Sequence, residues 1–464
     1  MSETMIRHNQ AKTLLKLLSG TILVLAVFFC CGGTAWAAEV SDQAGLEAAL
    51  DGTDSVITLT GDITLTKNIT VSRAVTLSGG DTITLDTAGY SLIVASGGDL
   101  TADGALTITG SGEQTINVQN AGTFSLSSGN VISANESDWH AAIYIEDGGT
   151  VNIDGGTVVS DDNRSEGAIY ANGGIVALNI SDGIITGYSH GIKLFHFAAT
   201  DEISTVTVSG GTITTTAPET AAQTYGVKVE KGSVKIDGDA EINALFPVAI
   251  HDGSMDISDG TINGNLSLNT CPTVISGGTV NGNISITDAD TVTLTGGIIN
   301  GKTDLNNCGT VEISGGTFTS SYGVIGLSGC GDTAISGGTF SGSAGVEIFD
   351  VDAGKSVLIC GDADISGENR GVFCSNGNVV ISGEEVEISG GYGLYVSDGC
   401  TVTVSGGTIT GNSYGSIFIN GGALTLTGGT IMNTTNQTGY YGIYIQEGPT
   451  NNEITSTEDL VISA

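Results

Sequence analysis

The stretch VEISGGTFTSSYG, residues 311–323, decides the fold because the chain keeps returning to it. VNIDGGTVVS occupies 151–160, VTVSGGTITGNSYG 402–415 and LTLTGGTIMN 424–433. Aligned on this phrase, units start at Leu106, Phe124, Val151, Leu178, Val206, Val234, Met255, Thr273, Val292, Val311, Thr333, Val357, Val379, Val402 and Leu424, at intervals of 18 to 28 residues. Two residues after each start the side chain is aliphatic in every unit, as in Ile153, Ile313 and Leu426. The residue between is mostly polar. Alternation with period two marks a strand with one buried face.

Each unit then reads strand, Gly-Gly turn, a short Thr-Ile or Thr-Phe strand, a variable loop, a Tyr-Gly-Ile type strand and a further turn. A unit so short cannot bury its own apolar face, but identical neighbours stacked on it can. The expectation is an all-β, right-handed parallel β-helix, a solenoid of about fifteen or more rungs. At about 4.8 Å per rung it makes a rod of roughly 70 Å or more. The period is too irregular for a hexapeptide helix and too short for propeller blades, and the Leu/Asn consensus of leucine-rich repeats is absent.

The bulk composition agrees. The 464 residues include 72 Gly and only 4 Pro, with 14% charged and 39% apolar residues, which suits many short strands and tight turns around an adequate core. Residues 1–37 read as a signal peptide. Arg7, Lys12 and Lys16 form its basic region, LVLAVFF its apolar run, and Ala35-Trp36-Ala37 a small-x-small cleavage site. Cys30 and Cys31 follow phenylalanines, a poor setting for lipidation. Residues 38–60 read as a cap and first strand, with SDQAGLEAAL (41–50) as a short amphipathic helix capped by Ser41 or Asp42. Residues 61–464 form the repeat domain. The chain stops at LVISA, on a strand phrase, which predicts either a short self-ending rod or a piece of a longer surface protein.

Removing the leader leaves 10 Lys+Arg and 49 Asp+Glu, a net charge of −39. Such a surface excludes nucleic acid, disfavours anionic membranes and makes anionic polysaccharides awkward partners. Neutral glycans, surface proteins and divalent cations remain.

The helix, DSVITLTGDITL (54–65) and the serial VSGGTITG rungs resemble the right-handed parallel β-helix of the pectate-lyase-like superfamily. Within it the chain is most similar to bacterial surface and adhesin-like β-helix repeat proteins. The resemblance covers residues 39–464 and concerns fold more than activity. Lyases of that superfamily use clustered carboxylates with a metal and a basic residue, and its hydrolases grouped aspartates, often beside Gly-His-Gly. Neither pattern is present; YSHGIKLF offers only Ser189-His190-Gly191, and the mature arginines are Arg73, Arg164 and Arg370.

Four sets of residues invite a functional reading. Lys193 and Lys228 fall in one outward column on neighbouring rungs, with His190, His196, His251 and Glu230 nearby, a setting for proton transfer or simply a solvated lysine pair. The turn pairs Asp237/Asp239, Asp288/Asp290, Asp350/Asp352 and Asp362/Asp364 could hold Ca²⁺, although their spacing matches no calcium loop and turn aspartates need no metal. Of six cysteines beyond the leader (Cys271, Cys308, Cys330, Cys360, Cys374 and Cys400), Cys308 and Cys330 precede their rungs equally and are the disulfide candidates; Cys374 reads as a core residue.

The fourth set is aromatic. Phe373, Tyr395, Phe418 and Tyr444 alternate with inward aliphatics on four consecutive rungs, so they point outward. Tyr144 and Tyr170 share the column, and Tyr392, Tyr414 and Tyr441 lie at the preceding corner beside Arg370. Flat rings suit sugar faces; equally, stacked rings stabilise the ladder by themselves. These residues define three expectations: a structural and adhesive rod contacting glycans or surface partners, a polysaccharide lyase or hydrolase working near His190, Lys193 and Lys228, or a spacer without a ligand.

Overall fold

A computed structural model describes residues 37–80, 82–135, 140–195, 203–218, 223–413, 415–435, 441–446, 453–456 and 461–463. They form a parallel β-solenoid of about 17 turns. Three strands make one turn. Cys400–Val404, Thr408–Gly411 and Gly415–Asn420 form the first, second and third sides of one. Each pairs in parallel with its counterpart a turn later, Ala423–Leu426, Thr430–Asn433 and Tyr441–Ile445.

The register follows the repeated phrase. Phe124 pairs with Val151, Val151 with Leu178, and the succession continues to Val402 against Leu424. One expected start is corrected. Leu106 and Ile108 belong to the second side, where Ile108 pairs with Val131, and the first-side partners of Phe124 and Leu126 are Leu100 and Ala102. The leader expected over residues 1–37 lies outside the described residues except for Ala37, which opens a first-side strand, Ala37–Val40.

Inward aliphatics form continuous columns with almost no solvent contact, among them Val402, Val404, Ile409, Ile417 and Ile419. Where the phrase reads Thr-Phe instead of Thr-Ile, the extra volume is matched on the next turn. Phe318 and Phe340 pair in register and stack inside the core, centroids 4.9 Å apart and planes within 8°. The Gly-Gly corner answers to contact with the turn beneath. A Cβ on Gly296 would lie 2.3 Å from the Ser276 carbonyl oxygen, and one on Gly297 2.7 Å from that of Gly277, with Gly297 also at φ +85°. A side chain at either position would force the turns apart.

A helix, Gln43–Asp51, lies beside the first strands. Asp42 accepts a hydrogen bond from the Gly45 amide at 2.8 Å, while Leu46, Ala49 and Leu50 are buried. At its other end Arg73 donates to the carbonyls of Ala49 and Leu50, at 2.7 and 2.9 Å, where a cation complements the helix dipole.

The disulfide expectation is corrected. The bridge joins Cys374 to Cys400, Cα atoms 6.2 Å apart, so Cys374 is not a free core residue. Cys308 and Cys330 are unbridged and buried. They do sit on adjacent turns, and donation to Cys330 together with burial raises the Cys308 pKa. Equivalent positions on stacked turns aim their Cβ atoms the same way, and each thiol also reaches a carbonyl, Cys308 that of Asn306 at 3.6 Å and Cys330 that of Leu305 at 3.3 Å. Cys374 and Cys400 come from different sides and converge.

Two outcomes follow for stability. Phe340→Ala should cost about 3–5 kcal/mol, read as a lower urea midpoint, because the stacked partner keeps the cavity from closing; a cost below about 1 kcal/mol would show that the core collapses freely. Cys400→Ser should cost about 2–4 kcal/mol by the same measurement, and an unchanged midpoint would show the bridge to be inert.

Candidate functional site

The outward residues of the third side form one column along the rod. It runs through Tyr144, Tyr170, Lys193 and Lys228, then the small residues Ala249, Ser267 and Ser285. It continues through Asp304, Gly326 and Glu347 to Phe373, Tyr395, Phe418 and Tyr444.

At the N-terminal end, cations and rings alternate. Lys193 lies over Tyr170 and Phe195, at 5.7 and 4.8 Å, and Lys228 over Phe195 and Tyr225, at 5.5 and 5.0 Å. Lys193 is also ion-paired with Glu166, both largely shielded from solvent. His190 stacks on Tyr225 at 5.4 Å and its Nδ1 meets the Ser189 hydroxyl at 2.9 Å. Burial, then the Lys193 and Lys228 charges, push the His190 pKa down to about 3. The imidazole is therefore neutral at ordinary pH, and its hydrogen bond to Ser189 fixes its orientation. Burial, helped by Glu166 and Tyr144, raises the Tyr170 hydroxyl to about 12. Of the other residues grouped here by the sequence, His251 is exposed at the far end of its strand, and His196 lies outside the described residues.

The C-terminal rings form a continuous contact column, edge-to-face for Phe373–Tyr395, tilted for Tyr395–Phe418 and stacked for Phe418–Tyr444. Centroid distances are 5.4 Å for Phe373–Tyr395, 4.6 Å for Tyr395–Phe418 and 5.4 Å for Phe418–Tyr444. Tyr392 closes over Phe418 at 5.0 Å and Tyr441 over Tyr444 at 6.0 Å. Arg370 lies on Phe373 and Tyr395, its guanidinium carbon 4.6 and 4.8 Å from their centroids. The column is thus less open than outward direction implies. Phe418 is only 8% exposed, and the open rings are at the margins, Tyr441 at 50%, Phe349 at 41% and Tyr444 at 37%. Phe349, 6.1 Å from Phe373 and edge-on to it, extends this ring column by one turn and was missed from sequence, although its place one residue after inward Ile348 marks it as outward. Tyr414 lies outside the described residues.

Beside the rings runs a trough that the sequence reading missed. The outward position of the second side carries a hydroxyl on five successive turns: Thr319, Ser341, Ser366, Ser389 and Thr410. Bare corners at Gly342, Gly367 and Gly390 leave a cavity of about 680 Å³ above this row, with Tyr322, 74% exposed, on its rim. Its lining draws on eight successive turns, from Asn283 to Thr434, a length of about 34 Å. Glu368 is the one charged residue in that lining. A second cavity, of about 400 Å³, adjoins it at Glu368 and reaches Arg370 and Tyr392. Ser and Thr at outward strand positions are ordinary in this composition, so only their register against empty glycine corners reveals the feature.

Three of the eight turn carboxylates have side-chain partners in the chain. Asp237 pairs with Lys235 at 2.6 Å, Asp288 accepts from Asn307 at 3.2 Å and Asp350 from Asn376 at 2.7 Å. Among the described residues no three His, Cys, Asp or Glu side chains converge as metal ligands, and no helix is long and apolar enough to cross a membrane.

Comparison with protein-family models, with curated proteins and with solved structures finds no match to this chain.

The depressed His190 pKa has a measurable consequence. The unfolded imidazole, near 6.5, takes up its proton first as pH falls, so this residue's contribution to stability is complete above about 6.5 and is lost toward about 3. The His190 imidazole should remain neutral by NMR at pH 5, where an ordinary histidine is mostly protonated; protonation near 6.5 would contradict the half-buried, lysine-flanked setting.

Proposed function

We propose that this protein is a secreted, surface-associated rod that binds glycans along the face formed by the hydroxyl trough and the adjoining rings. The observation that carries the reading is their adjacency. An extended groove, almost free of charge and lined by hydroxyls and amides, runs beside aromatic surface whose margins are open. Polar groups in such a groove suit the hydroxyls of a sugar chain, and ring faces suit its apolar faces. A net charge near −39 makes an uncharged polymer the better partner. The leader-like residues 1–37 support export. Close contact of Phe418 with its neighbours assigns the centre of the ring column to holding the turns together, leaving ligand contact to the trough and the marginal rings.

The test uses the chain from residue 38 onward with insoluble and soluble polysaccharides, measuring protein retained and sugar ends released. Retention without release is expected, falling at least tenfold in Tyr322→Ala/Tyr441→Ala and in Ser366→Phe, which blocks the trough. Release of new ends, abolished by Lys228→Ala, would move the function to the cluster of His190, Lys193 and Lys228. Failure of every polysaccharide to retain the protein would overturn the reading in favour of a spacer or a protein-binding rod.

A further inference from the structure

The 400 Å³ cavity at the corner between the second and third sides holds charges of both signs that do not pair with each other. Arg370 lies over Phe373 and Tyr395. Among the described residues its guanidinium has no ion pair and no side-chain hydrogen bond, although the chain carries 50 carboxylates. Glu347 and Glu368 line the same cavity and are likewise outside any ion pair among the described residues. Glu347 leans toward the preceding turn, its Oε2 filling the space that a Cβ on Gly323 would need, while Arg370 leans toward the following one. Asn369 and Ser343 are tied to each other across the turns at 2.8 Å. The cavity wall near them carries two less polar surfaces, Ala344 and the Tyr392 ring.

Each charge sign limits the ligand. A carboxylate docking on Arg370 meets Glu347 and Glu368 and the field of the whole rod; an ammonium docking on the glutamates meets Arg370. A neutral group that both accepts and donates meets neither penalty. Its acceptor takes a charge-assisted hydrogen bond from the guanidinium, and its donor gives one to a carboxylate. A secondary amide does this with a fixed separation between C=O and N–H, and its methyl end suits Ala344 and Tyr392. Resting on the glycan reading above, we infer that this cavity is a subsite for the acetamido group of an N-acetylated amino sugar within a chain lying in the trough.

Three hexasaccharides with one β-1,4-linked glucose backbone test this: plain, 2-acetamido and 2-amino forms, titrated calorimetrically into the chain from residue 38 onward. The 2-acetamido form should bind at least tenfold more tightly than the plain form, since one charge-assisted hydrogen bond is worth about that factor. In Arg370→Met and in Glu347→Gln the advantage should shrink to threefold or less, with the melting temperature unchanged as evidence of folding. Equal binding of plain and acetamido forms would overturn the subsite and leave the glycan reading standing. Tightest binding by the 2-amino form would overturn it in favour of a cation site. An acetamido advantage untouched by both substitutions would also overturn it, placing recognition elsewhere. If none of the three binds, the subsite falls, and the glycan reading falls with it only if the wider polysaccharide panel also retains nothing.

Discussion

Every turn of this protein must lie in register on the one before it. A turn of some two dozen residues has no interior of its own; its aliphatic side chains are buried only because equivalent side chains lie above and below. The glycine corners enforce the same constraint from outside the core, since the carbonyl of one turn occupies the space a Cβ of the next would need. A side chain's place in the sequence phrase therefore fixes its column on the rod, and the outward columns become long, uniform surfaces. The stacked rings and the hydroxyl trough are both by-products of that constraint, each a repeated choice of residue type at one position of the phrase.

Fold and register were legible because the buried face is marked by alternation and the corner by Gly-Gly. Leu106 shows the limit. Leu-Thr-Ile-Thr alternates like a first-side strand, yet it is followed by Gly110-Ser111 and not by two glycines, whereas the true first-side strand carries Ala102 at the diagnostic aliphatic position. The number of strands per turn could not be read, because loops of variable length separate the second and third sides. Pairing of Cys374 with Cys400 depends on that number, so the cysteine expectation went to the two residues that the phrase itself aligned.

The candidate site was legible in direction and not in coverage. Alternation correctly points Phe373, Tyr395, Phe418 and Tyr444 outward, but whether an outward ring meets solvent depends on Tyr392 and Tyr441, which reach it from a corner. The lysine column is similar. Register places Lys193 and Lys228 together, while Glu166, Tyr170 and Phe195, which decide what the ammonium groups face, come from other positions of the phrase or from the turn before. No property of a single strand announces the trough, which is an absence of side chains at corners beside a row of small polar ones.

The asparagine ladder of the second side has a direction. Asn263 donates to Asn243, Asn281 to Asn263 and Asn300 to Asn281, at 2.6 to 2.8 Å, and the Thr319 hydroxyl donates to Asn300 at 2.8 Å. All four bonds point the same way along the axis, so the amide dipoles add head to tail and polarise one another. Thr319 is also the first hydroxyl of the trough row. Its proton is held by the ladder, so what it turns toward the groove is lone pairs alone. The rod thus has a chemical polarity as well as a length: at Thr319 a visitor must bring its own hydrogen.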